Sequence, residues 1–127
     1  MATIQQDCDR ILQQSLNAVK PDSAVRRALQ GKDFGGGRLI LVAVGKAAWQ
    51  MAHTASQALQ GKLTGGIVIT KYGHSGGAIP GVSVYEAGHP VPDENSYLAT
   101  KAALALTKDL SRDDHVLFLL SGGGSAL

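Results

Sequence analysis

Apolar positions recur along this chain in two distinct rhythms, one of period three to four and one of unbroken short runs. Ile4, Cys8, Ile11, Leu12, Leu16 and Val19 lie three or four apart, which predicts a helix with one apolar face ending before Pro21. Asp22 is expected to cap a second short helix that carries Val25, Ala28 and Leu29 and stops at Gly31. Both helices read as packing structure without chemistry. Gly35-Gly36-Gly37 then reads as a flexible connection into a strand rather than a phosphate loop.

The rhythm changes at Arg38. Leu39-Ile40-Leu41-Val42-Ala43-Val44 is apolar without alternation, as expected of a strand covered on both faces of a parallel sheet. Gly45-Lys46 ends it. Ala48, Met51, Ala52, Ala55 and Leu59 return to helical spacing, closed by Gly61. Gly66 to Thr70 predicts a second strand and Val82 to Glu86 a third, joined by the polar, glycine-rich Lys71 to Gly77 segment, so the direction of the third strand stays open. Gly88-His89-Pro90-Val91-Pro92 is irregular because each proline drives its predecessor out of the helical region. Asp93 is expected to cap a helix whose shared face is Ala99, Ala102, Ala103, Leu106 and Leu110, and His115 to Leu120 predicts a buried fourth strand. The alternation predicts an α/β fold: a three-layer α/β/α sandwich with a mostly parallel, Rossmann-like sheet, breaking off after its fourth strand.

Composition narrows the reading in a few respects. A hydrophobic fraction of 44% with 5% aromatics implies a core of aliphatic residues and alanine with close helix-on-sheet packing. Twelve basic against ten acidic residues leave a net charge of +2, scattered, which selects neither nucleic acid nor a membrane surface. The lone Cys8 excludes an intramolecular disulfide and suits a cytoplasmic protein. Met1 to Asp7 has no secretory pattern, and runs such as Leu39 to Val44 fall far short of the roughly 18 residues a membrane span needs.

Candidate chemistry follows from the rule that ligands collect at the carboxyl ends of parallel strands. Gly45-Lys46, Lys71 to His74, Gly88 to Asp93 and Ser121 to Ser125 all follow strands. If the third strand is parallel, they gather on one edge, and that set of lysines, histidines and glycine N–H groups suits an anionic, phosphorylated ligand. Lys46 stands between a strand and a helix N-terminus, where the helix dipole favours anions. Ser121-Gly122-Gly123-Gly124-Ser125 offers a backbone cradle with two hydroxyls.

Several familiar patterns fail. Ile40 and Ala47 break a Walker A loop, and Leu127 breaks both a nucleophile elbow and a dinucleotide fingerprint. His74, His89 and Glu86 lack paired spacing, so no metal site is read. His89 either meets ligand or hydrogen-bonds its own stiff loop, while Asp93 is a helix cap first. His53 and His115 read as structural, and Tyr72 is notable only for its place in a candidate loop.

Val44-Gly45-Lys46-Ala47-Ala48, Thr70-Lys71-Tyr72-Gly73-His74, Glu86 to Asp93 and Leu120 to Leu127, four motifs in this order, resemble the amino-terminal part of the glycerate 2-kinase family. That family carries a MOFRL domain at its C-terminus, and some of its members are labelled hydroxypyruvate reductases. The resemblance implies transfer of the γ-phosphoryl of ATP, with Mg²⁺, to the 2-hydroxyl of D-glycerate. It implies a catalytic role for Lys46 and a ligand-facing role for Ser121 to Ser125, His89 and Asp93, with Lys71 and His74 on the same edge. It also implies that residues 1–127 are the first part of the N-terminal domain of a several-fold longer polypeptide. Acidic Mg²⁺ ligands and a hydroxyl-activating base would then be supplied by the remainder of that polypeptide, leaving these residues inactive alone. A hydroxypyruvate reductase and a non-catalytic phospholigand-binding module stay open as alternatives. An uncovered face or edge at the last strand would invite self-association into a homo-oligomer.

Overall fold

The computed structural model describes residues 1–122. Helices α1 (Ile4–Ala18) and α2 (Asp22–Leu29) precede strand β1 (Leu39–Val44), helix α3 (Ala48–Leu59), strands β2 (Gly65–Lys71) and β3 (Val82–Ala87), helix α4 (Glu94–Leu106) and strand β4 (His115–Leu120). The four strands form one sheet in the order β3-β2-β1-β4, and every pair is parallel. The third strand, whose direction the sequence left open, therefore points the same way as the rest.

Helices cover both faces, as the unbroken apolar run of β1 requires. Leu39, Leu41 and Ala43 pack with Val68 against Ala48, Ala52, Ala55 and Leu59 of α3 and Val25 of α2. Ile40, Val42 and Ile67 face the other way, toward Ala102, Ala103 and Leu106 of α4. Small residues on α3 and α4 let each helix lie close to the sheet. Each large aliphatic side chain so buried contributes about 1.5–3 kcal/mol. The segment 72–81 between β2 and β3 contains no helix. It runs over the α3 side, where Ile79 is buried in the core and the Trp49 indole N–H donates to the Gly77 carbonyl at 2.8 Å.

The amino end of the sheet is tied by a charged knot. Asp114, just before β4, accepts from the Arg38 backbone N–H (2.7 Å), from Arg38 Nε (2.9 Å) and Nη2 (2.8 Å), and from the Ser111 N–H (2.8 Å). The Arg38 guanidinium and these amides hold the Asp114 carboxyl well below the usual carboxylate range. The start of β4 is thereby locked in register beside the start of β1, with Leu39 opposite His115.

Four details depart from the sequence reading. Asp22 does not cap α2: Pro21 holds the cap position without a side-chain bond, and the Asp22 carboxylate accepts from Gln50 Nε2 (2.9 Å) and Thr54 Oγ1 (3.3 Å) on α3. Helix α1 buries no residue, and its stripe of Ile4, Ile11, Leu12 and Leu16 is exposed. Leu110 lies beyond the end of α4 and is exposed. Strand β4 is an edge strand rather than a buried one: Leu117 and Leu119 pack on the α3 side, whereas Val116, Phe118 and Leu120 stand exposed on the α4 side. The cause in each case is a partner that local periodicity does not specify.

Candidate functional site

The order β3-β2-β1-β4 reverses direction between β1 and β4, because the chain progresses outward from β1 to β3 and then returns across the sheet through α4. The carboxyl ends of β1 and β4 thus flank a topological switch point, where open parallel sheets bind ligands. Gly45 and Ser121 meet there.

Gly45 follows β1 with φ +117°, a conformation open to glycine and costly for other residues. A Cβ at this position would also overlap the Ser121 hydroxyl and carbonyl oxygens. The turn is held from several sides. The Gly45 N–H donates to the Ile69 carbonyl (3.0 Å), the Ala48 N–H donates to the Gly45 carbonyl (3.1 Å), and the Ser121 N–H donates to the Val44 carbonyl (3.0 Å). The Ala47 N–H donates to Ser121 Oγ at 3.0 Å. From the β2 side, the hydroxyl of Thr70, itself buried, donates to the Gly45 carbonyl at 2.9 Å and lies 3.4 Å from that of Lys46. Lys46 itself is exposed, at the entry to α3, whose N-cap residue Ala47 makes no side-chain cap bond.

A groove of about 560 Å³ opens beside this turn, between α4 and the α4-facing side of the sheet. Its mouth is formed by Gly45, Lys46, Thr70, Lys71, Gly88 and His89; Val42, Val44, Ile69, Val116 and Phe118 make its floor, and Ser96, Thr100, Ala103, Leu104 and Thr107 its α4 wall. The groove is thus apolar along its length and cationic at its carboxyl-end mouth. No carboxylate lines it among the described residues.

The loop after β3 forms the far lip. A cis bond joins His89 to Pro90, and Asp93 caps α4 by accepting from the Ser96 N–H at 3.1 Å. Asp93 Oδ2 also accepts the Tyr72 hydroxyl at 2.6 Å, and Asn95 Nδ2 donates to that hydroxyl oxygen at 2.8 Å. The Tyr72 hydroxyl first, then the Gly88 N–H and Ser96, lower the Asp93 carboxyl to about 2, and the same Asp93 pushes the Tyr72 phenol up. This network joins the β2 loop to the β3 loop. Glu86 Oε1 adds a second tie, accepting from the Gly73 N–H (3.1 Å) and the Ser75 N–H (3.2 Å).

The residues named from sequence therefore fall into three groups. Lys46, Lys71 and His89 share the groove mouth. Ser121, His74 and Asp93 stand behind it: Ser121 receives the Ala47 N–H, His74 Nδ1 lies 3.3 Å from the Lys46 carbonyl, and Asp93 caps its helix and holds Tyr72. Gly122 follows Ser121 with φ +79°. Gly123, Gly124 and Ser125 lie outside the described residues. Sequence reasoning missed Thr70 as a support of the Lys46 turn and left Tyr72 without a role. A hydroxyl at the carboxyl end of an otherwise aliphatic strand was the available signal for Thr70.

The chain is similar to known proteins over nearly its whole length. It is 53% identical over 117 residues to the D-glycerate 2-kinase of Thermotoga maritima, covering 92% of this chain and 28% of that protein. It is 43% identical over 113 residues to the glycerate 2-kinase of Pyrococcus horikoshii, covering 88% of this chain and 25% of that one. The crystal structure of a glycerate kinase from Thermotoga maritima superimposes with a TM-score of 0.81 at 52% identity, covering 92% of this chain and 28% of that chain. This chain accordingly spans about a quarter of the length of these relatives. With residues 7–127 matching the family described as a domain of unknown function, DUF4147, the chain belongs to that family.

Proposed function

We propose that this chain is the amino-terminal part of a glycerate 2-kinase and contributes one wall of its phosphoryl-transfer cleft. The observation that carries the reading is the switch point: the Lys46 turn is tied to the end of β4 through the Ala47 N–H and Ser121 Oγ, and Lys46, Lys71 and His89 converge on one mouth. Similarity to two proteins named glycerate 2-kinases supports the same assignment.

In the reaction, the 2-hydroxyl oxygen of D-glycerate bonds to the γ-phosphorus of ATP and the bond from that phosphorus to the bridging oxygen breaks. ADP leaves, the hydroxyl proton passes to a base, and 2-phosphoglycerate remains. Such transfers depend mainly on positioning and on neutralising charge on the phosphoryl oxygens. Lys46 offers a mobile ammonium beside the entry to α3, where the helix dipole adds partial positive charge. Lys71 and His89 face the same mouth and would hold phosphate or the glycerate carboxylate. Gly122, Gly123, Gly124 and Ser125 are part of the same proposal as ligand-binding residues. Because the described lining holds no carboxylate, these residues do not fit a Mg²⁺ ion, and no step is assigned to one. Metal ligands and the base would come from the remainder of the polypeptide.

The test is ADP release by the complete polypeptide with ATP and D-glycerate, with the product identified by ³¹P NMR. Turnover to 2-phosphoglycerate is expected, with Lys46→Ala lowering kcat by about 10²–10³-fold and residues 1–127 alone giving none. Oxidation of NADH with hydroxypyruvate, or full activity in Lys46→Ala, would overturn the assignment.

A further inference from the structure

Thr70 is a polar side chain at the end of an aliphatic strand, only 3% exposed, yet its hydroxyl is not spent on the sheet. It reaches across to the neighbouring strand's exit, where it meets the Gly45 carbonyl at 2.9 Å and the Lys46 carbonyl at 3.4 Å. A threonine hydroxyl has one proton to donate, so the nearer Gly45 carbonyl takes most of it. That same carbonyl receives the Ala48 N–H that opens α3. On the opposite side, Ser121 Oγ holds the Ala47 N–H. The three-residue turn Gly45-Lys46-Ala47 is therefore gripped between two hydroxyls, Thr70 on β2 and Ser121 just past the end of β4, and the Lys46 ammonium projects from the gripped segment.

We infer that Thr70 is a positioning residue that fixes the Lys46 turn, and with it the lysine ammonium, at the groove mouth. The kinetic part of this inference rests on the phosphoryl-transfer reading above; the structural part does not. Removing the hydroxyl while keeping the β-branched shape that β2 packs against takes one of two hydrogen bonds from the Gly45 carbonyl, leaving only the Ala48 N–H, without opening a cavity. The loosened turn then samples positions in which the ammonium is off the phosphoryl group. Small displacements of this kind reduce the chemical step more than substrate binding.

Two readouts test it, with Thr70→Val to remove the hydroxyl and Thr70→Ser to keep it. In the complete polypeptide, Thr70→Val should lower kcat about tenfold with the KM values for ATP and D-glycerate within about threefold of wild type, while Thr70→Ser returns kcat to within about threefold. In residues 1–127, hydrogen exchange should quicken about tenfold at the Ala47 and Ala48 amides in Thr70→Val and stay unchanged at Leu41 and Val42. Unchanged kcat, an equal loss in Thr70→Ser, or unaltered exchange at Ala47 and Ala48 overturns the role. If wild type lacks kinase activity but the exchange pattern appears, the kinase assignment fails and the clamp stands. Should Thr70→Val not fold, Thr70→Ala set against Thr70→Ser decides: exchange at the two amides faster in Thr70→Ala than in Thr70→Ser supports the hydroxyl as the active element, and equal exchange in the two overturns it.

Discussion

Asp93 carries two duties on one carboxylate, capping α4 through Ser96 and accepting the Tyr72 hydroxyl from a loop 21 residues earlier. Both duties favour the ionised form, which is why its carboxyl sits at about 2 rather than 3.8. A folded-state value below the unfolded one means stabilisation that is complete above about pH 4 and lost as pH falls through about 2. Tyr72→Phe removes the largest of the lowering contacts, so the ¹³C carboxyl titration of Asp93 should move up toward 3.8, and acid unfolding followed by circular dichroism should begin at a higher pH. An unmoved titration would show that the cap alone sets the carboxyl. The cap was legible in the sequence, because Pro92 precedes Asp93 and an apolar helical period follows. The Tyr72 contact was not, since nothing local announces that the β2 loop folds over the β3 loop. Lys46 was legible for the opposite reason: its place between a buried strand and a helix start is a local property.

At the scale of elements, type follows from periodicity, whereas burial follows from neighbours. The repeats in α3 and the unbroken run in β1 specify elements that find cover within the fold, and both are buried as their patterns imply. Helix α1 has as clear a stripe, well capped by Thr3 and Gln6, yet no residue of it is buried. Helix α2 is shorter but is bound into the fold by Val25 and by Asp22 reaching Gln50 and Thr54. Removing residues 1–18 from this chain should therefore move Tm by no more than about 3 °C, in line with the ~0.5 kcal/mol typical of exposed positions. Val25→Ala, which hollows the packing between α2 and α3, should cost about 2 kcal/mol. Thermal unfolding of the two variants side by side checks the contrast. A large loss on removing α1 would mean that its stripe has cover within the chain.

For the whole molecule, strand order was the least legible feature, because hydrophobic patterns identify strands without naming their neighbours. The order β3-β2-β1-β4 places β4 at an edge and leaves Val116, Phe118 and Leu120 exposed in line with the buried Ile40 and Val42 of β1. A helix making a right-handed crossover onward from β4 would lie on the α4 face and cover this strip. Among the described residues the strip and the unpaired edge of β4 are open together, the combination that favours edge-to-edge and face-to-face association. Sedimentation velocity at rising concentration should therefore show residues 1–127 moving from monomer toward larger species. Phe118 is 57% exposed, so Phe118→Lys should leave thermal stability within about 0.5 kcal/mol while keeping the chain monomeric over the same range. The lysine places a charge on the strip and blunts the edge without touching the Leu117 and Leu119 side of the strand, which packs against the α3 core. A wild-type chain that stays monomeric throughout would mean that the strip is too small to drive association, and Phe118→Lys would then change nothing.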